Sequence, residues 1–208
     1  MSRGRGGVRY VCMDRETEFA LVRRMAGGDT AAFDAIYDEY RARLYSFLAR
    51  LSRRHDVAED LLEETWLRLV EHAGRFKPGM PLGPWLYTVA RNLYFSYCRS
   101  RVIEDERVAG LMGLWSGVAR GPSPFEEASA SELEARLERA LAALAPRYRE
   151  VLQLSLIEEM TPAEMAQVCG VTPETLRQRL SRARAMLARQ LEIPAGREKR
   201  PLVREVAI

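Results

Sequence analysis

From Asp14 to about Arg101, and again from Ser131 to Leu191, the apolar residues of this chain recur at helical spacing. No stretch alternates as a strand would over any useful length. Phe33, Ile36, Tyr37, Tyr40, Leu44, Phe47, Leu48 and Leu51 keep the i, i+3, i+4 rhythm of one buried helical face. The period therefore predicts an all-α fold. Gly27-Gly28 interrupts it, and Asp29 or Thr30 can cap the helix that follows. A second helix is predicted over residues 56–73, then a Pro/Gly-rich loop over 74–84, then a third helix over 84–101. Residues 102–130 lose the pattern. Gly110, Gly113, Gly117, Gly121, Pro122, Ser123 and Pro124 mark a linker there, with Trp115 among them. Ser131 and Glu134 read as a capping box before the stripe Leu133, Leu137, Leu141 and Leu144. Pro146 then restarts a helix carrying Tyr148, Val151, Leu152 and Leu156.

This pattern divides the chain into two small helical domains, 14–101 and 131–191, joined by a flexible linker over 102–130. Residues 1–13 read as a disordered basic extension, or as an over-read upstream of a start at Met13, and 192–208 as a charged tail.

Composition narrows the function. The 208 residues are 47% hydrophobic and 29% charged, too apolar for a disordered chain and too charged for a membrane protein. No apolar run approaches the roughly 20 residues of a membrane span, and the first residues lack the apolar core of a signal peptide. Cys12, Cys98 and Cys169 form no CxxC pair, and His55 and His72 fit no metal-ligand spacing. No phosphate-binding glycine loop or GxSxG elbow is present. These absences predict a cytoplasmic, non-enzymatic protein without a cofactor. The formal net charge is only +3, so any nucleic-acid role must come from how charge is distributed. All but two of the 32 basic residues are arginine, the exceptions being Lys77 and Lys199. That bias suits phosphate and guanine recognition, and codon bias explains it equally well.

Three local patterns carry chemistry. In the first, Thr161-Pro162-Ala163-Glu164 combines an N-cap, a proline at the first helical position and a capping-box glutamate. Met165, Ala166 and Val168 supply an inner face, Cys169-Gly170-Val171 a tight turn, and Thr172-Pro173 a second helix start. That helix gathers Leu176, Leu180, Ala183 and Leu187 on one side. The other sides carry Thr175, Arg177, Gln178, Ser181, Arg182 and Arg189. A positive helix delivered by a tight turn is the geometry of a major-groove reader, with Arg matched to guanine and Gln to adenine. The plainer alternative is a solvated basic face.

In the second pattern, residues 85–101 hold three arginines, no acid and five aromatics. Leu86, Val89, Ala90, Leu93 and Tyr97 project toward a core. Arg91, Phe95 and Arg99 align on the other side, with Trp85, Thr88 and Asn92 beside them. Exposed rings interleaved with guanidiniums suit bases that have left a duplex, although helical aromatics are commonly core. Phe76, Lys77 and Met80 on the preceding loop are placed to grip an unpaired base.

The third is an acidic helix. Asp56, Glu59, Asp60, Glu63, Glu64 and Glu71 face only Arg68 in opposite charge. Ala58, Leu61, Leu62, Thr65 and Leu69 form its buried side, and Leu67 lies among the acids. Such a face repels DNA and suits a basic protein partner, or else is simply solvated.

Residues 55–68, His-Asp-Val-Ala-Glu-Asp-Leu-Leu-Glu-Glu-Thr-Trp-Leu-Arg, and 84–93, Pro-Trp-Leu-Tyr-Thr-Val-Ala-Arg-Asn-Leu, resemble region 2 of bacterial RNA polymerase sigma factors. Residues 144–152, Leu-Ala-Pro-Arg-Tyr-Arg-Glu-Val-Leu, with the helix-turn-helix that follows, resemble region 4. With only a linker between the two, the layout is similar to that of the extracytoplasmic-function (ECF) sigma factors. The resemblance implies a promoter-specificity subunit that binds core RNA polymerase and promoter DNA. It implies that Asp60, Glu63, Glu64 and Leu67 dock on the polymerase clamp helices. Phe76, Lys77, Met80, Trp85, Arg91, Asn92, Phe95 and Arg99 would recognise and open the −10 element. Thr175, Arg177, Gln178, Ser181 and Arg182 would read the −35 element. It also implies that the second domain holds the flap tip, that the linker threads the polymerase cleft, and that the free protein is monomeric with an anti-sigma factor as a further partner. The family usually carries Gln where Glu63 stands and often Asp where Ser96 stands. The competing reading is a helix-turn-helix repressor or activator that binds a palindrome as a dimer. A nucleic-acid-processing enzyme is a third, which the missing metal-ligand and phosphate-loop motifs disfavour.

Overall fold

The computed structural model describes residues 13–111, 132–157 and 160–191. Eight α-helices and one 3-10 turn lie among the described residues, and no strand does. They are α1 (Arg15–Ala26), α2 (Thr30–Ser52), α3 (His55–His72), the turn Ala73–Arg75, α4 (Leu82–Leu111), α5 (Glu132–Ala143), α6 (Pro146–Ile157), α7 (Pro162–Cys169) and α8 (Pro173–Gln190). The expected capping box at Ser131, Trp115 and the charged tail from residue 192 lie outside the described residues.

Local chemistry sets the helix ends. The Asp14 carboxylate accepts the Thr17 amide at 2.9 Å to start α1. Asp29, not Thr30, caps α2, accepting the Ala31 amide at 3.0 Å. Two helix ends fall outside their expected limits. α4 begins at Leu82 and runs to Leu111, past Arg101 and into the segment read as linker. Its glycine at 110 lowers helix propensity without breaking a turn already in progress.

In the first group of helices, α2 is the central element, packed on α1, α3 and α4. Ile36, Leu44, Leu48 and Leu51 are fully buried along it. Near the start of α4, Glu18 is a buried carboxylate. The Tyr40 hydroxyl donates to one of its oxygens, and the Leu82 amide donates to the other at 3.3 Å. The carboxylate so satisfies an orphan amide of the α4 N-terminus, where a negative charge is favoured.

In the second group α6 packs on α7 and α8, and α5 lies against α8. Val151, Leu152 and Leu154 of α6 meet Met165, Val168, Leu176 and Ala183 in its core. Between α7 and α8 the chain turns at Gly170, whose φ of 62° is left-handed. A side chain there would be strained, which is why this turn takes glycine. The two groups also pack on each other: α4 lies along α7, α2 touches α6, and one apolar cluster runs through both.

Candidate nucleic-acid interface

The helix-turn-helix forms as its sequence punctuation predicts. Thr161 and Glu164 make a reciprocal capping box, and the Thr172 hydroxyl accepts the Thr175 amide at 3.2 Å. Leu176 and Ala183 face inward, while Arg177, Gln178, Ser181 and Arg182 are exposed on α8. Glu174 holds Arg177 at 2.8 Å and accepts a hydrogen bond from the Gln178 amide at 3.3 Å. Both are surface contacts, weak enough to yield to a base edge. Ser181 and Arg182 have no such partner among the described residues. Thr175, Gln178 and Arg182 line a cleft of about 160 Å³ with Arg147, Tyr148 and Arg179. Neither Arg147 nor Arg179 stood out in the sequence as a functional residue. The signal for Arg179 was its place beside the apolar stripe of α8, half-turned toward α6.

Along α4 the buried line is Leu86, Tyr87, Ala90 and Tyr94. The core side is therefore rotated from the expected Leu86, Val89, Ala90, Leu93 and Tyr97, of which Val89, Leu93 and Tyr97 are only half-buried. Two of the five rings of residues 85–101, Tyr87 and Tyr94, are core. On the opposite line Arg99 is exposed and donates to the Ser96 hydroxyl at 2.9 Å, whereas Arg91 and Phe95 are half-buried, the Arg91 guanidinium carbon 4.6 Å from the centre of the Phe95 ring and Phe95 packed against the core. Asn92 is exposed, and its side-chain oxygen accepts from Arg91 at 3.4 Å. Trp85 meets Phe76 edge-on at 5.1 Å, with His72 at 6.0 Å on the same ring. The loop turns tightly at Lys77-Pro78-Gly79-Met80, where the Met80 amide donates to the Lys77 carbonyl at 3.1 Å and Gly79 has a φ of 80°. Lys77 is exposed and Met80 half-buried beside that aromatic cluster.

Arg91 departs from this surface. Its Nε lies 2.8 Å from Oε2 of Glu150 on α6, and its Nη2 3.4 Å from Oε1. Arg179 Nη1 is 3.8 Å from the same carboxylate, which is wholly shielded from solvent. Burial pushes the Glu150 carboxyl above its ordinary value, while the hydrogen bond and charge of Arg91 and then the charge of Arg179 pull it back. Nearby, the Cys169 thiol is pushed up to about 12, by burial first and the charge of Glu150 second.

The acidic helix α3 has the expected two faces. Ala58, Leu61, Leu62, Thr65 and Leu69 are buried, joined by Val57 and Trp66. Asp60 and Glu63 are exposed, and Glu64 is tied to Arg68 at 2.8 Å. The Arg54 guanidinium beside Asp56 holds that carboxyl below its usual range. Leu67 is 59% exposed and Val70 55%, an apolar pair within the acidic surface; Val70 was not singled out from sequence. Among the described residues no His/Cys/Asp/Glu group could hold a metal ion, and no helix is long and apolar enough to cross a membrane.

An acidic helix, an aromatic-basic helix and a separate helix-turn-helix, in that order, define the sigma-70 class of promoter-recognition proteins. Comparison agrees: residues 36–102 match the family described as Sigma-70 region 2, and residues 134–187 match Sigma-70, region 4. The chain is 28% identical over 176 residues to the ECF RNA polymerase sigma factor SigW of Bacillus subtilis, covering 82% of this chain and 94% of SigW. It is 30% identical over 167 residues to the ECF sigma factor SigL of Mycobacterium tuberculosis, covering 77% of this chain and 89% of SigL. The solved structure of the sigma factor RpoE from Bartonella quintana, in complex with the anti-sigma factor NepR, superimposes with a TM-score of 0.64 at 28% identity. It covers 78% of this chain and 98% of that one. The protein belongs to the ECF RNA polymerase sigma factors.

Proposed function

We propose that this chain gives core RNA polymerase its promoter by dividing the work among three helices. α8 reads the −35 element in the major groove through Arg177, Gln178, Ser181 and Arg182, with Thr175 beside them. The loop with Phe76, Lys77 and Met80, and α4 with Trp85, Arg91, Asn92, Phe95 and Arg99, recognise and open the −10 element. α3 docks on the clamp helices through Asp60, Glu63, Glu64 and Leu67. The second domain takes the flap tip, and the protein acts in the cytoplasm on the nucleoid. An anti-sigma partner is part of the reading, supported by the NepR complex of the RpoE relative.

The observation that carries this assignment is the outward face of α8, where Ser181 and Arg182 stand exposed and unpartnered among the described residues while Leu176 and Ala183 anchor the helix. Separately tethered readers gain affinity only when something fixes their spacing. A mobility-shift assay on promoter duplex tests this. The chain alone should shift the duplex weakly, and the chain with core polymerase strongly and in proportion to co-purified complex. Tight binding of a palindrome by a dimer without polymerase would overturn it.

A further inference from the structure

The loop assigned to the −10 element is held at both ends by α1, a helix with no part in that assignment. At its near end the turn Ala73–Arg75 packs on α1, and the Phe76 amide donates to the Ala73 carbonyl at 3.3 Å. At its far end the Leu82 amide donates at 3.3 Å to Oε2 of Glu18, 64 residues away in α1. Oε1 of the same carboxylate accepts the Tyr40 hydroxyl of α2. Glu18 is 5% exposed, Tyr40 3% and Leu82 1%, so these bonds are shielded from water.

The contact reaches the base-gripping side chains within one helical turn. The Pro81 carbonyl, next to Leu82, accepts the Trp85 amide at 3.3 Å. Trp85 in turn meets Phe76 edge-on at 5.1 Å, which closes the loop on itself. Tyr40 also presses on the backbone at Gly83, where a Cβ would lie 3.3 Å from the hydroxyl and 3.4 Å from the ring. A buried carboxylate that loses one of its donors is costly. A helix start that needs only a cap takes one from the residue just before it, as Asp14, Asp29, Thr161 and Thr172 show for α1, α2, α7 and α8. At α4 the cap comes instead from another element, and it ties the helix and its loop to α1 and α2.

We propose that Glu18, held by Tyr40, is a positioning residue for −10 recognition. It fixes the span of residues 76–81 and the start of α4, so that Phe76, Met80 and Trp85 present one arrangement to an unpaired base. The inference rests on the assignment of that loop made under Proposed function, and it adds two residues too buried to touch DNA. A recognition site must be held to within about 0.5 Å to stay selective. Loss of the Glu18 bonds therefore costs discrimination among −10 sequences before it costs the fold, while reading of the −35 element by α8 is untouched.

Three variants of the full chain test this with core polymerase. Glu18→Leu removes both acceptors. Glu18→Gln keeps the shape, with an oxygen for the Leu82 amide and an amide that can donate to the Tyr40 oxygen. Tyr40→Phe keeps the ring on Gly83 and removes only the hydroxyl. Run-off transcription is measured on promoters substituted singly in the −10 element and, in parallel, in the −35 element. Glu18→Leu should narrow the ratio between cognate and substituted −10 promoters by at least about fivefold, and Tyr40→Phe by at least about threefold. Glu18→Gln should stay within about twofold of the parent, as should every −35 ratio. A merely structural role lowers output on all promoters alike and leaves the −10 ratio unchanged, and that result overturns the proposal. So does an equal loss of −35 discrimination, or a Glu18→Gln chain as indiscriminate as Glu18→Leu. If Glu18→Leu does not fold, Tyr40→Phe decides by the same ratios. A parent chain with no −10 preference contradicts instead the assignment of the loop.

Discussion

Arg182 stands on the outward face of α8, and nothing among the described residues holds it away from a base edge. A bidentate contact of arginine with guanine discriminates by about 1–3 kcal/mol. Arg182→Ala should therefore weaken −35 recognition by that amount and flatten the preference at one base position, read by transcription from promoter variants. Unchanged initiation at the cognate promoter would remove Arg182 from the reading set. The α8 residues were legible in sequence because a turn glycine, two caps and an apolar stripe fix which side faces out. Glu150 was not. It directly precedes the buried Val151 and Leu152 of α6, and an acid there signals a buried partner without naming one. The partners, Arg91 and Arg179, come from helices distant in sequence, and no local rule pairs them. Arg91 was read correctly as lying in line with Phe95 and Arg99, yet in the free chain it turns to a carboxylate.

Faces, at the element scale, were easier to read than ends. α3 buried every residue its period assigned to the core, because six carboxylates and an apolar stripe leave only one way to orient a helix. On α4 the aromatic content blurred the pattern: Tyr87 and Tyr94 are apolar enough for the core yet look like base-stacking rings in sequence. Asp60→Ala with Glu64→Ala removes charge from the exposed side of α3 without disturbing its packing. Labelled protein titrated with core polymerase should bind several-fold more weakly, chiefly through slower association, while circular dichroism is unchanged. Full-strength binding would count against α3 as the docking face. Helix ends make a separate prediction. Arg149 satisfies five carbonyls at the ends of α5 and α2. Each buried acceptor left unpaired costs about 1–3 kcal/mol. Urea unfolding of Arg149→Ala should thus show a loss of at least about 2 kcal/mol, and a loss below about half that would mean water replaces the guanidinium.

At the scale of the whole molecule, the helical class and the order of motifs were legible because each is written in local spacing. The packing of α4 on α7 was not, since the contact joins segments on either side of residues 112–131 and depends on shape rather than period. The proposed division into a −35 reader, a −10 reader and an acidic docking helix makes sense only as part of a larger machine that sets their separation. Transcription from fragmented genomic DNA, primed with reconstituted holoenzyme and sequenced at the 5′ ends of its products, tests that claim most directly. Initiation should cluster at discrete sites sharing two upstream elements at one fixed spacing, and should vanish when this chain is omitted. Products indistinguishable from those of core polymerase alone would contradict the account.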